Sequence, residues 1–277
     1  MSTLIKHLDG GWDRAVHQEE VWGTVVTFDI RDEHLDECAL EVIADGVEFL
    51  HQVDRWFSTY RIDTPITALR MGFAELSQMP AIVREVLNRC ELVKALTGGV
   101  FDPWAVDGGV DPSGFVKGWA ADVVADMVVS QGFMNVAINA AGDVSCRGEQ
   151  SEGQPWVIGI RHPEETHTII ATTEVVDGAI ATSGEYERGK HIINPMTGTR
   201  DMALRSATVV GPDGGMADAL ATALLIAGLP GVAWFAQLPG WSGYLVEGEN
   251  AHFFGPAFGP AETFERSTAS EQELAAC

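Results

Sequence analysis

Basic residues are what this chain has least of. Its 277 residues hold 17 Lys and Arg against 40 Asp and Glu, a formal net charge of −23. A surface that acidic repels phosphate backbones and anionic headgroups, which argues against polymeric nucleic acid and membrane surfaces as partners. Lysine is limited to Lys6, Lys94, Lys117 and Lys190, so the place of each carries information. Cysteine is sparse too: Cys38, Cys90, Cys146 and Cys277 show no C-x-x-C spacing, which argues against a zinc site or a disulfide scaffold and for reduced thiols. No apolar run approaches the ~18 residues of a membrane span, and the first twenty residues lack a signal-peptide apolar region, so the expected compartment is the cytoplasm. G-x-x-x-x-G-K-[ST], a helix-opening G-x-G-x-x-G, H-E-x-x-H and G-x-S-x-G are all missing, which removes the commonest nucleotide, zinc-protease and hydrolase signatures.

What is present is ample core material. Apolar residues make up 46% of the chain and charged residues only 21%, so the acidity reflects a shortage of bases and not a disordered acidic tail. Thirty glycines exceed the usual ~7% and cluster in short groups where backbone turns or approaches a ligand. Residues 21–30 read as a strand. Residues 34–57 read as a helix with Leu35, Cys38, Val42, Phe49, Val53 and Phe57 on one stripe. A second helix is expected from Ser77, with Pro80 in its first turn, to Gly98-Gly99, and a third after the turn at 106–114. Strand-like NVAIN, WVIGIR, HTIIATTEVV and SATVV follow, then helical GGMADALATALLIAG, GVAWFAQL and short strands near GYLVEG and AHFF. Helices and strands mix without strict alternation, which predicts an α+β (or mixed α/β) fold with mixed β-sheets. The expected organisation is an N-terminal segment over 1–20, one domain over 21–260 and a frayed tail over 261–277, with no internal repeat in the sequence.

Four segments could carry chemistry. Lys117, in the first turn of the third helix, opposes the macrodipole; it is either a solvent-facing lysine or the cation of an anion site built from a glycine turn and free N–H groups. Asp218 and Thr222, four apart, share a helix face and form a hard-oxygen pair suited to Mg²⁺, although an Asp in a first turn also has a purely local reason to be there. The stretch from 181 to 200 brings together Ser183-Gly184, Lys190 and His191, where the histidine is either structural or a general base. The turn at Gly142-Asp143 reads as an ordinary braced loop. His162 and His167, separated by Pro and acids, read as a solvated turn and not a metal site.

In their order along the chain, WGTVVTF, DRWFSTYRIDTPI, GGVFDP, the D-x-x-G-x-x-K-G-x-A-x-D run from Asp111, N-x-x-G-D, ATSGEYER, HIINPMTG and ADALATA resemble the ApbE family, the FAD:protein FMN transferases, from about Trp22 to Gly255. The resemblance implies a T-fold-related architecture with an FAD cleft between two subdomains. It also implies an enzyme that splits FAD with Mg²⁺, releases AMP and joins FMN by a phosphoester to a Thr or Ser of an acceptor flavoprotein. Carried over by residue, Trp22, Tyr60 and the backbone of Val100, Phe101 and Asp102 would form the flavin cleft, and Asp111 and Lys117 would contact the nucleotide. Ser183 and Gly184 would lie at the pyrophosphate, and His191 and Ile192 would close the flavin side. Gly114, Asp218 and Thr222 would hold Mg²⁺, with His191 and Asp218 as the catalytic pair.

Departures from the family pattern keep other readings open. Asp111 follows Asp102 by only nine positions where relatives carry a longer segment, so the wall is either open or completed by a second subunit of a homodimer. The usual H-x-x-D-P reads His191-Ile192-Ile193-Asn194-Pro195, the usual double glycine before Asp143 reads Ala141-Gly142, and Arg70 stands where an Asn often does. The alternatives are an FAD pyrophosphatase yielding FMN and AMP, and a catalytically inactive FAD-binding protein.

Overall fold

The structure is a computed structural model that describes residues 3–8, 11–106, 108–165, 167–184 and 192–258. Strands β1 (Leu4–His7), β2 (Asp13–Val21) and β3 (Thr24–Asp32) open the chain, followed by helices α1 (Glu37–Phe57), α2 (Pro65–Arg70), α3 (Ala81–Leu96) and α4 (Ser113–Ser130). Strands β4 (Asn135–Ala140), β5 (Asp143–Arg147), β6 (Glu149–Ser151), β7 (Gln154–Arg161), β8 (Ile169–Val175), β9 (Gly178–Gly184) and β10 (Ser206–Gly211) come next. Helix α5 (Gly214–Ala227), a 3-10 segment over Leu229–Gln237, β11 (Ser242–Glu247) and β12 (Asn250–Phe254) complete it.

The α+β class is as expected. The strand pairing is not: one nine-stranded sheet, in the order β1-β2-β3-β4-β5-β9-β10-β11-β12, and one three-stranded sheet, β6-β7-β8, are antiparallel at every described pairing, where mixed sheets were expected. The boundary expected at residue 20 falls inside β2, which pairs with β3 along its whole length, so residues before 21 belong to the main sheet. The single strand expected over 21–30 is interrupted by a turn at Trp22-Gly23, where both residues have positive φ (58° and 72°), as a two-residue hairpin requires. The helix expected from Ser77 starts at Ala81, because Met79, the residue before Pro80, is held extended (ψ 151°) and Pro80 stands as the N-cap.

Alternation along the strands sorts the core into two layers. Val136, Ile138 and Ala140 of β4 and Ala181 of β9 face the helices, while Ala137, Val144, Cys146 and Ile180 face the small sheet, against Trp156, Ile160 and Val175. Helix α1, started by Asp36 accepting from the Cys38 amide, buries Val42, Ile43, Leu50, Val53 and Phe57. Helix α4 is apolar around its circumference, as its place among α1, α5, β4 and β5 demands. The main sheet also has a repeated topology that the sequence hides. A hairpin (β2-β3), helices and a hairpin (β4-β5) are followed by an antiparallel pair with a long connection (β9-β10), α5 and a hairpin (β11-β12), and the halves join where β5 meets β9.

Candidate functional site

The site stands where α4 crosses α5. A Cβ built on Gly118 would lie 2.1 Å from the Gly214 carbonyl oxygen, and one on Gly214 would lie 2.4 Å from the Gly118 oxygen, so the backbones touch. The start of α5 is then held twice: Asp213 accepts from the Met216 amide (2.8 Å), and Asp122, reaching across from α4, accepts from the Gly214 amide. Burial pushes the Asp122 carboxyl above its usual range, against the lowering effect of that amide and of Arg147. This clamp sets Lys117 of α4 beside Asp218 of α5. The Lys117 ammonium is hydrogen-bonded to Asp143 on β5 and lies 3.6 Å from Asp218 Oδ2. Both carboxylates are nearly inaccessible, at 1% and 3% exposure.

One helical turn further, Thr222 Oγ1 is 3.0 Å from Ser183 Oγ on β9. Gly114 completes the group. It breaks the helical geometry of α4 (φ −78°, ψ 19°), and a Cβ there would sit 3.3 Å from Thr222 Oγ1 and 3.6 Å from the Phe101 ring. Small residues thus leave a cradle walled by a carboxylate, two hydroxyls and backbone. Among the described residues no three His, Cys, Asp or Glu side chains gather as a metal cage. The donor set fits a hard cation that takes one carboxylate from protein and fills its shell with water and phosphate oxygens.

Two adjoining cavities open here. The smaller, about 290 Å³, is lined by Tyr60, Val100, Phe101, Asp102, Asp111, Gly114, Lys117, Ser183, Gly184, Ile192, Asp218 and Thr222. Twelve residues singled out from the sequence, drawn from the whole span between 60 and 222, therefore meet in one place. The larger, about 1210 Å³, shares Thr59, Tyr60, Ser113 and Lys117 with it and adds Trp22, His51, Asp54, Phe57 and Arg61. Tyr60 stands between the two with 93% of its surface exposed. Trp22 holds a left-handed backbone that a bulky residue rarely adopts, and its indole N–H is buried with no hydrogen-bond partner among the described residues. Asp102 pairs with Lys94 (2.9 Å), whose ammonium is held above its usual range by that hydrogen bond, and Asp111 accepts from the Ser113 amide with Arg70 3.8 Å away. His191 and Lys190 lie outside the described residues.

The sequence alone gives Asp143 no role beyond bracing a loop. Its pairing with Lys117, 26 positions away, follows from strand alternation: Val144 and Cys146 face the small sheet, so Asp143 faces α4. Thr59 and Ser113 were not singled out either, although both lie inside quoted motifs. At the HPEETH turn, His162 Nδ1 accepts from the Glu164 and Glu165 amides at 3.1 Å each.

The model of the ApbE family matches residues 105–245. The FAD:protein FMN transferase of Vibrio cholerae is 38% identical over 129 residues, covering 43% of this chain and 39% of that protein. The enzyme of the same name from Salmonella typhimurium is 29% identical over 154 residues, covering 52% and 44%. The chain thus spans about two fifths of the length of the curated relatives it matches. Among solved structures, the flavin transferase ApbE from Vibrio cholerae superposes with a TM-score of 0.76 at 22% identity, over 88% of this chain and 97% of that one. The apbe protein from Thermotoga maritima does so with a TM-score of 0.76 at 21% identity, over 86% and 96%. At these identities the structural likeness shows a shared fold.

Proposed function

The chain belongs to the ApbE family, and from that premise we propose that it is a Mg²⁺-dependent FAD:protein FMN transferase that acts in the cytoplasm on a Thr or Ser of an acceptor flavoprotein. The observation that carries this reading is the meeting of Lys117, Ser183, Asp218 and Thr222 around the Gly114 cradle in one cavity. In the reaction, the acceptor oxygen forms a bond to the FMN phosphorus, the pyrophosphate P–O bond breaks, and AMP leaves.

Phosphoryl transfer asks a protein mainly for positioning and charge neutralisation. Lys117 lines both cavities with its ammonium beside two buried carboxylates, and it is the group proposed to meet the pyrophosphate. Asp218, Thr222 and Gly114 would hold Mg²⁺, which when bound supplies Lewis-acid polarisation and charge neutralisation. Ser183 and Gly184, at the end of β9, would orient the phosphate oxygens. Tyr60 and Trp22 would give the flavin an aromatic face to stack on. His191 is the residue proposed to take the proton from the acceptor hydroxyl. Support for the compartment is the exposed Cys38, a free thiol, together with the buried free thiols Cys90 and Cys146. Among the described residues no helix is long and apolar enough to cross a membrane.

The test is incubation with FAD, Mg²⁺ and a Thr-bearing flavoprotein domain. AMP release with a mass gain of one FMN on the acceptor is expected, and Asp218→Ala should lower the rate by about a hundredfold or more, the scale of losing a transition-state charge stabiliser. AMP and FMN accumulating at the same rate without acceptor would instead mark a pyrophosphatase, the reading favoured by the large cavity beside the site. FAD binding with no AMP release would sink both enzymatic readings.

A further inference from the structure

Building on the metal reading above, we propose that Asp143 is a positioning residue that holds the Lys117 ammonium away from Asp218, and so reserves that carboxylate for the divalent cation. One ammonium stands between two buried carboxylates and is not shared equally. It is hydrogen-bonded to Asp143 Oδ2, while Asp218 Oδ2 lies at 3.6 Å, beyond hydrogen-bond length. An ammonium and a metal ion compete for the same carboxylate oxygen, and in a site this buried a closed ion pair is strong enough for the competition to matter.

Asp143 is well built for the task. It lines neither cavity, so it acts through Lys117 and not on substrate. Its direction is fixed by the β4-β5 hairpin, in which Asp143 pairs with Ala140 across the Ala141-Gly142 turn and the Gly142 amide donates to Asn139 Oδ1 at 2.8 Å. Lys117, for its part, sits one residue before the Gly118 contact with α5, which fixes its backbone position on α4. With the Asp143 charge removed, the nearest carboxylate to the ammonium among the described residues is Asp218, at 3.6 Å.

Mn²⁺, followed by its electron paramagnetic resonance signal and titrated into the full chain without FAD or acceptor, tests this apart from turnover. Asp143→Asn should weaken Mn²⁺ binding about tenfold, the scale on which partners of metal ligands act. The double variant Asp143→Asn with Lys117→Met should return affinity to within about twofold of the parent, since the ammonium that stands nearest Asp218 among the described residues is gone. A merely structural role for Asp143 predicts no such rescue. If Asp143→Asn does not fold, Lys117→Met alone decides, with tighter Mn²⁺ binding expected. Unchanged affinity in Asp143→Asn, loss without rescue, or unchanged affinity in Lys117→Met as the only foldable variant would overturn the inference. A parent protein that binds no Mn²⁺ would overturn the metal reading and this inference with it, whereas Mn²⁺ binding without FMN transfer would leave this inference standing and count against the transferase.

Discussion

Among the described residues two side chains other than glycine hold a left-handed backbone, Trp22 (φ 58°) and Ala141 (φ 59°). Each is the first residue of a two-residue hairpin turn whose second residue is glycine, and the two differ in what they receive in return. Trp22 lines the large cavity, which gives a functional reason for the strain. Ala141 lines neither cavity and has no such reason. Ala141→Gly should therefore stabilise the protein by roughly 0.5–1 kcal/mol, the αL cost of alanine less the added freedom of an unfolded glycine, read as a rise in urea midpoint at constant slope. The site was most legible at this scale. Lys117 was conspicuous because it opposes a helix dipole, and Asp218 with Thr222 because helical spacing alone puts them on one face. Asp143 was not, since a short acidic turn looks the same whether or not a lysine from a distant helix ends on it.

At the scale of elements, what could be read were the segments with strong periodicity or β-branched runs: α1, α4, α5, β4, β7, β8 and β10. Among those missed were β2, where DRAVHQEEV carries adjacent charges at each end (Asp13-Arg14 and Glu19-Glu20) and resembles a loop, and β9, where GAIATSG has poor strand propensity. Strand β9 is central and buried on both faces, so its conformation comes from neighbours β5 and β10 and not from its own residues. Small residues matter equally between helices. Gly118 and Gly214 let α4 and α5 touch, and Gly118→Ala would drive a methyl group into the Gly214 carbonyl. The expected cost is about 3 kcal/mol, the upper part of the range for overpacking, measured by thermal or urea unfolding. Because the same contact sets Lys117 against Asp218, FAD affinity should fall in the variant even under conditions where it remains folded.

For the whole molecule, the acidity noted in the sequence acquires a local answer. On the proposed function, a chain of net charge −23 meets an anionic pyrophosphate with a few fixed cations, and among the described residues Lys117 is the lysine that lines both cavities. On the proposed function, removing divalent metal with chelator should weaken FAD binding about tenfold or more, because the bound ion is the largest local charge. Raising NaCl from about 50 to about 300 mM should leave affinity unchanged or tighten it by no more than about twofold, as screening relieves a repulsion instead of an attraction. Flavin fluorescence quenching reads both. The class of fold was legible from the mixture of elements, but the antiparallel order of the sheets was not, because pairing partners such as β3 and β4 are separated by four helices. The two topologically similar halves bring one consequence that lies outside chemistry. Lys117 and Asp143 come from the first half, Ser183, Asp218 and Thr222 from the second, and the chain between β5 and β9 makes an excursion through the small sheet with an exposed turn at Glu164-Glu165. A single proteolytic nick at that turn would sever the covalent link and leave the β5-β9 ladder and the α4-α5 contact intact, turning an intramolecular site into one shared by two polypeptides, like the interface of a heterodimer.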